Sequence, residues 1–221
     1  MADLPMVPYD IDDEMLTRTL DDGWPRVRVY EPPQVAVVIG RGGHQELELK
    51  TANISADGVP LYQRPGGGCS VVLDPGNLVV SIVAPLPGIG EIKSSFAAIS
   101  DWLITALTAC DVPGVKQRGI SDLAIGERKI GGSCMHRTRD LVYYSTTILL
   151  DPDLDLVDRY LLHPPREPDY RAGRTHRKFM GSLKSLHLPP GEADLSYRLH
   201  IMLNLRLEEL ADSLADRCTV W

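Results

Sequence analysis

The sequence RPGGGCSVVLDPGN, from Arg64 to Asn77, is the most informative part of this chain. Three consecutive glycines follow a basic residue, and a DPGN turn separates two apolar runs. A glycine triplet lets the backbone adopt positive φ angles and lets a ligand approach the main chain closely. Its exposed N–H groups can also form an anion-binding concavity beside Arg64. On these residues alone, an ordinary glycine-rich hairpin turn is an equally good interpretation.

Short β-rich runs lie on both sides of this stretch. We predict strands at Arg26–Tyr30, Val35–Gly40, Leu61–Arg64, Cys69–Leu73, Leu78–Ala84 and Val142–Leu150. The strands before and after the DPGN turn are expected to form one sheet, with the glycine loop at its edge.

Apolar residues recur every three or four positions in several other segments. This spacing predicts helices at Ile11–Leu20, Gln45–Ser55, Glu91–Cys110, Asp153–Leu162 and Leu195–Cys218. Because strands and helices are mixed along the chain rather than alternating, we expect an α+β fold with a mixed central β-sheet flanked by helices.

The composition excludes several classes of protein. The 221 residues carry a net charge of −7, which argues against a nucleic-acid-binding protein that depends on positive charge. No apolar run is long enough to span a membrane, and the acidic N-terminus does not resemble a signal peptide, so we expect a cytoplasmic protein. The four cysteines are far apart and contain no CxxC pair, so neither a zinc site nor a disulfide framework is indicated.

A second informative stretch is DLAIGERKIGGSC, residues Asp122–Cys134, which predicts two strands joined by a tight turn. Lys129 lies on the returning strand, just before a glycine pair. Further on, Arg171–Leu186 concentrates six basic residues in an otherwise acidic chain: Arg171, Arg174, His176, Arg177, Lys178 and Lys184. Such a cluster is usually a solvated face, and the alternative is contact with a phosphate or an acidic partner.

Both glycine motifs, in this order, make the chain similar to the lipoate–protein ligase A family, which shares its fold with the biotin protein ligases. The first match is VVIGR (Val37–Arg41) followed by QRPGGGCSVVLDPGN (Gln63–Asn77); the second is Ser121–Leu123 followed by ERKIGGSC (Glu127–Cys134). The resemblance implies a ligase-like catalytic domain at residues 1–186. It also implies that residues 187–221 form a helical tail packed on the same domain, without a full accessory domain.

The resemblance implies ATP-dependent activation of lipoate to lipoyl-AMP and transfer of the acyl group to a lysine of a lipoyl carrier protein. Lys129 matches the signature lysine of the family and is assigned as the catalytic cation, because forming an acyl–phosphate anhydride requires charge compensation at both reacting groups. Mg²⁺ is expected as the counter-ion of ATP, with no metal site of the protein's own. The residues assigned to substrate and nucleotide binding are Arg41, Gln63, Arg64, Gly66, Gly67, Gly68, Cys69, Ser70, Asn77, Asp122, Gly132, Ser133 and Cys134.

The sequence also departs from the family pattern. When the glycines are aligned, Gln63 occupies the position of the family's substrate arginine, and Arg64 lies one residue closer to the glycines. Consecutive side chains leave a strand on opposite faces, so whether Arg64 replaces that arginine is open. The tail is too short for the accessory domain of most ligases, so a separate accessory subunit is also possible.

Two other functions stay open. The first is an octanoyl- or lipoyl-transferase of the same fold, which needs a cysteine thiolate. In that case Cys69 or Cys134, which we interpret as small apolar fillers, would be the nucleophile. The second is a non-catalytic subunit of a two-part ligase. The acyl group, lipoate or octanoate, is not specified by these motifs.

Overall fold

The computed structural model describes residues 3–88, 92–188 and 192–218. Its strands are β1 (Val7–Pro8), β2 (Arg26–Tyr30), β3 (Ala36–Ile39), β4 (Leu61–Gln63), β5 (Val71–Leu73), β6 (Asn77–Pro85), β7 (Val115–Arg118), β8 (Asp122–Ile125), β9 (Arg128–Arg137) and β10 (Leu141–Leu149). Its α-helices are α1 (Asp13–Asp22), α2 (Gln45–Glu48), α3 (Thr51–Ala56), α4 (Ile92–Ala109), α5 (Leu154–Tyr160), α6 (His176–Phe179), α7 (Glu192–Leu205) and α8 (Leu207–Cys218).

The strands form two sheets. The larger is antiparallel, in the order β2-β6-β10-β9-β8-β7, and the smaller has the order β1-β4-β3-β5 with parallel and antiparallel pairs. One face of the larger sheet packs against α4, α7 and α8 through a continuous apolar core. The predicted α+β class with flanking helices is confirmed, and the mixed pairing lies in the smaller sheet.

The DPGN turn connects the two sheets. The Asp74 carboxylate accepts hydrogen bonds from the backbone N–H groups of Gly76 (3.0 Å) and Asp153 (2.7 Å), and the Asn77 amide also donates to Asp74. Strand β5 pairs with β3 in the smaller sheet, whereas β6 lies in the larger one. The expectation that both strands belong to one sheet is therefore wrong, because these buried bonds fix the turn against the start of α5 and redirect the chain.

Two predicted helices are interrupted. The predicted helix Leu195–Cys218 consists of α7 and α8, which meet at Arg206, where the backbone carbonyl accepts a 3.0 Å hydrogen bond from the indole of Trp102. The predicted helix Gln45–Ser55 is divided into α2 and α3 by Leu49, which forms a β-bridge to Leu161. Apolar spacing continues across both breaks, so periodicity alone could not reveal them.

The long helix predicted at Glu91–Cys110 is confirmed as α4, although Glu91 lies outside the described residues. Within the described part of the chain, none of the helices has the length and apolar character needed to cross a membrane. The face of the larger sheet opposite α4 is turned toward the smaller sheet, where Val79 of β6 packs with Val38 of β3 and Leu73 of β5.

We expect Gly76→Ala to destabilise the protein by about 1–3 kcal/mol, the usual cost of overpacking. A Cβ atom at Gly76 would lie 2.2 Å from the Asp151 carbonyl oxygen, so the turn between the sheets would have to move. Urea denaturation followed by circular dichroism measures the change. Gly42→Ala is the matched control because its Cβ enters open space; equal stability of the two variants would contradict the packing argument.

Candidate functional site

A β-bulge positions the amine of Lys129. Leu123 of β8 pairs with Gly131, but the next residue, Ala124, pairs with Lys129, so Ile130 is an extra residue in β9. Residues three apart on a regular strand point to opposite faces. The bulge instead brings Lys129 onto the face of Gly132, where a Cβ atom would lie 3.0 Å from the lysine Nζ. Bulges of this kind commonly redirect a side chain.

The Lys129 amine is paired with the carboxylate of Asp122 on β8. Nζ lies 2.7 Å from Oδ1, and the two side chains are 26% and 10% exposed. The second oxygen, Oδ2, accepts a 2.9 Å hydrogen bond from the hydroxyl of Tyr170. Burial and the nearby Asp122 carboxylate raise the pKa of Tyr170, so the phenol keeps the proton that it donates. Asp122 thus holds both the lysine and the segment that contains Tyr170.

The glycine loop packs directly on the same face of the sheet. A Cβ atom at Gly66 would lie 2.8 Å from the Cys134 Sγ, two residues beyond Gly132 on β9. On its other side the loop contacts the end of β3, where a Cβ at Gly40 would lie 2.2 Å from the Gly68 carbonyl oxygen. Gly68 itself has a φ of +91°. These contacts explain why glycine is needed, and Gly67 and Gly68 remain exposed at the top of the loop.

Arg64 stabilises the glycine loop through hydrogen bonds to backbone carbonyls. Its guanidinium donates to the backbone carbonyls of Val38 (3.2 Å), Gly67 (2.8 Å) and Cys69 (2.8 Å). At the end of the loop, Ser70 donates through its N–H (2.6 Å) and hydroxyl (2.8 Å) to the buried carboxylate of Glu48. Arg64 and Ser70 therefore use their polar atoms to fix the loop's shape.

Residues 166–182 close the third side of the site. The Cys69 thiol contacts the Arg166 carbonyl oxygen at 3.7 Å, and the N–H of Gly181 donates to the Lys129 carbonyl oxygen at 2.8 Å. The guanidinium of Arg128 donates to the carbonyls of Arg177 and Lys178. This segment therefore connects the glycine loop with the β8–β9 hairpin.

Most of the predicted site residues are brought together. The structure groups Lys129, Asp122, Gly132 and Cys134 with the glycine loop, and Arg41 is attached to the loop by its N–H, which donates to the Gly66 carbonyl oxygen at 3.0 Å. The exposed Arg41 also lies near His136, a residue of β9 whose pKa is lowered by burial and by Arg41.

Three predicted residues face elsewhere. The Ser133 hydroxyl points into the core on the α4 side, where it donates to Thr146 (2.9 Å) and accepts from Tyr144 (2.7 Å). Asn77 is 1% exposed, and its amide donates within the DPGN turn. Gln63 pairs with Ile39, so it shares the face of the smaller sheet that packs on α3 and α5.

Several important residues were not predicted as part of the site. Glu48 fixes the end of the glycine loop, and Tyr170 binds Asp122. Glu48 stands within a short helix-like segment and has no local motif that could have identified it. Tyr170 precedes the basic cluster, and that proximity was the only available signal.

The two cysteines of the site are poor nucleophiles. Burial raises the pKa of the Cys134 thiol, and the nearby Arg64 only partly opposes this effect. Burial and the Glu48 carboxylate raise the pKa of Cys69. Both cysteine side chains are therefore protonated thiols at neutral pH. This agrees with the interpretation of the two residues as small apolar fillers.

The residues that the structure describes contain no group of three or more His, Cys, Asp or Glu side chains that could hold a metal ion. Asp122, the carboxylate nearest to Lys129, is already bonded to the lysine and to Tyr170. These two bonds occupy both oxygens of the Asp122 carboxylate.

The chain is similar to known proteins in sequence and in structure. Residues 5–195 match the family model of the lipoyl protein ligase A/B catalytic domain. A bi-partite lipoate protein ligase from Thermoplasma acidophilum, described with its E2 lipoyl domain, superposes with a TM-score of 0.73 at 20% identity, covering 97% of this chain and 89% of that one. Lipoate-protein ligase A bound with ATP gives 0.68 at 21% identity, over 87% and 80% of the two chains. A T. acidophilum protein with bound lipoic acid gives 0.67 at 19%, over 87% and 82%.

We expect Cys69 and Cys134 to react slowly with iodoacetamide at pH 7 and faster as the pH rises toward and above 9, because the thiolate is the reactive form. Mass spectrometry of the peptides that contain each cysteine measures the rate. The same chain in urea is the control, since unfolding removes the burial that raises both pKa values. Labelling of either thiol at pH 7 as fast as in urea would contradict this expectation.

Proposed function

The chain belongs to the lipoyl protein ligase A/B catalytic-domain family, and we propose that it is an ATP-dependent lipoate–protein ligase. In this proposal it converts lipoate and ATP to lipoyl-AMP and then transfers the lipoyl group to a lysine of a carrier protein domain. The observation that carries the proposal is the position of Lys129. Its amine is held by Asp122 over Gly132, beside a glycine loop with exposed backbone at Gly67 and Gly68.

In the first step, a carboxylate oxygen of lipoate attacks the α-phosphorus of ATP. The new O–P bond forms as the bond from the α-phosphorus to the bridging oxygen breaks, and pyrophosphate leaves with its electron pair. Negative charge grows on the phosphoryl oxygens during the attack, and a fixed cation in a partly dry site stabilises it strongly. Lys129 supplies this cation. Asp122 and Tyr170 hold the amine in place before the substrates bind, which reduces the reorganisation required.

In the second step, the neutral amine of the carrier lysine attacks the acyl carbonyl carbon. An amide bond forms, AMP leaves, and the amine loses a proton to solvent. The acyl group is already activated, so this step requires no nucleophile from the enzyme. The glycine loop lets the adenylate approach the backbone closely because Gly67 and Gly68 carry no side chain in its way.

The raised pKa values of Cys69 and Cys134 favour the ligase over a transferase that works through a cysteine thioester. The similarity to a bi-partite ligase supports a related possibility, that the chain acts together with a separate accessory subunit. Its partners would then be lipoate or octanoate, a lipoyl carrier domain and that subunit.

We expect Lys129→Ala to lower ATP-dependent acylation at least about 100-fold, the usual effect of removing one preorganised charge-stabilising donor. The assay contains purified protein, lipoate, ATP, Mg²⁺ and a carrier domain, and it follows both pyrophosphate release and acylation. Lys116→Ala is the matched control, because Lys116 is an exposed lysine on β7 of the same sheet.

Three results would argue against the proposal. Full activity of Lys129→Ala would remove the assigned role of the lysine. Acylation from an octanoyl carrier protein without ATP, blocked by alkylation, would indicate the transferase. If the wild-type protein binds the carrier but reacts with neither donor, even when candidate accessory subunits are added, the non-catalytic subunit is the better description.

We also expect Gly132→Ala to lower the rate of pyrophosphate release by about 10- to 100-fold while leaving the melting temperature nearly unchanged. The added methyl group would lie 3.0 Å from Nζ and 3.2 Å from Cε of Lys129. Both atoms belong to the end of a flexible side chain, so the lysine moves and the fold does not. A large loss of thermal stability, measured by circular dichroism, would show instead that Gly132 is needed for the fold.

A further inference from the structure

Arg171 is a buried arginine beside the candidate site. It ends a short 3₁₀ turn, Asp169–Arg171, and is 5% exposed. Its Nε donates to the Arg174 carbonyl oxygen at 3.0 Å, and the Nε of Arg174 donates back to the Arg171 carbonyl oxygen at the same distance. Its guanidinium carbon lies 5.0 Å from the centre of the Phe179 ring. These contacts fix the orientation of the guanidinium group.

One end of this guanidinium has no partner. The Nη2 atom of Arg171 is buried, and it makes no hydrogen bond to any residue within the described ranges 3–88, 92–188 and 192–218. Leaving a buried donor of a charged group unsatisfied is unfavourable, so such a donor calls for a bound partner. Arginine stays protonated in proteins, so the partner that suits it best is an anion.

The position of Arg171 connects it to both halves of the site. The preceding residue, Tyr170, donates to Asp122, the partner of Lys129. On the opposite side, the carbonyl of Arg166 contacts the thiol of Cys69 in the glycine loop. Asp122 and Cys69 are both close enough to Arg171 to act on its charge. Arg171 therefore lies near both Cys69 of the glycine loop and the Asp122 carboxylate that binds Lys129.

Four other arginines in or near the site already have partners for their guanidinium groups. Arg64 uses its guanidinium on three carbonyls of the glycine loop and β3. Arg174 donates to the carbonyls of Glu127 and Tyr170, and Arg177 forms ion pairs with two exposed aspartates of α5. Arg118 pairs with Glu127. In this group Arg171 is the one with a buried N–H donor left over, although its Nε lies 3.3 Å from the Glu167 carboxylate.

We propose that Arg171 is a substrate-binding residue whose Nη2 donates to an oxygen of the α-phosphoryl group, first in ATP and then in the acyl adenylate. This assignment rests on the proposed function. Two anionic groups of the substrates could bind Arg171, the carboxylate of lipoate and the α-phosphoryl group of ATP, and their chemistry decides between them. The carboxylate of lipoate loses its charge when the anhydride forms, whereas the α-phosphoryl group keeps a negative charge through both steps. A buried cation that cannot move away is better matched to the group that stays charged.

Isothermal titration calorimetry with AMP, adenosine, ATP and lipoate tests this assignment. We expect Arg171→Met to weaken AMP and ATP binding by about 10- to 100-fold, the effect of losing one charge-assisted hydrogen bond. Adenosine and lipoate should bind within about 2-fold of wild type, since neither contains a phosphoryl group. Arg177→Met, an exposed arginine of the same segment, is the matched control and should bind every ligand as wild type does.

The pattern of losses decides the assignment. Equal losses for AMP and adenosine would show that Arg171 only supports the local structure, and a loss confined to lipoate would place the carboxylate there instead. If Arg171→Met does not fold, as judged by circular dichroism, Arg171→Lys takes its place. Lysine retains the positive charge but lacks the planar, forked guanidinium group. We therefore expect Arg171→Lys, too, to lose more affinity for AMP than for adenosine.

Measurements of nucleotide binding and of pyrophosphate release by the wild-type protein distinguish failure of this inference from failure of the proposed function. If the wild-type protein binds AMP more tightly than adenosine but releases no pyrophosphate from ATP and lipoate, even when candidate accessory subunits are added, the ligase proposal fails and the comparison of variants still decides the role of Arg171. If it binds neither ATP nor AMP, both proposals fail. If it releases pyrophosphate and Arg171→Met retains wild-type affinity for AMP, only the assignment of Arg171 is overturned.

Discussion

The ion pair between Lys129 and Asp122 is the contact on which the arrangement of the site depends. It exists because one extra residue in β9, Ile130, enters the core and turns the preceding lysine onto the opposite face. A partly buried amine without a counter-charge is unfavourable, so Asp122 is what keeps the lysine in this position. The second oxygen of Asp122 binds Tyr170. One carboxylate therefore binds both the lysine of the sheet and the segment, residues 166–182, that covers the sheet.

Close backbone approach is the second constraint, and it acts at three separate places. Gly40 at the end of β3, Gly66 in the loop and Gly132 on β9 each leave less room than a Cβ atom needs. Gly40 lets the loop lie close to the end of β3, and Gly66 lets it lie close to Cys134 of the larger sheet, whereas Gly132 leaves room for the end of the Lys129 side chain. The loop thus stands at a fixed height above Cys134 and beside the lysine amine. This explains how an exposed loop can present ordered backbone groups to a ligand.

The fold class and most strands could be predicted because they depend on local spacing, and the pairing of the glycine loop with Lys129 could be predicted from the resemblance of the two motifs to the lipoate–protein ligase A family. The positions of Ser133, Asn77 and Gln63 could not. Ser133 and Gln63 follow the alternation of their strands, which directs both side chains away from the site, and Asn77 is held inside a buried turn. A motif assigns a residue to a place in the chain, but strand parity decides which face its side chain occupies.

The sequence is equally unable to show which residues of a basic cluster are buried and which lie on the surface. The cluster that follows α5 reads as one basic patch in the sequence, yet Arg177 lies on the surface with aspartate partners and Arg171 is buried. What separates them is the ring of Phe179, against which Arg171 and Arg174 both pack. Since Arg64 is committed to bracing the glycine loop, a cation for an anionic ligand has to come from another element. Residues 166–182, which cover the sheet, can supply this cation. A ligand bound there would strengthen the contact between residues 166–182 and the sheet.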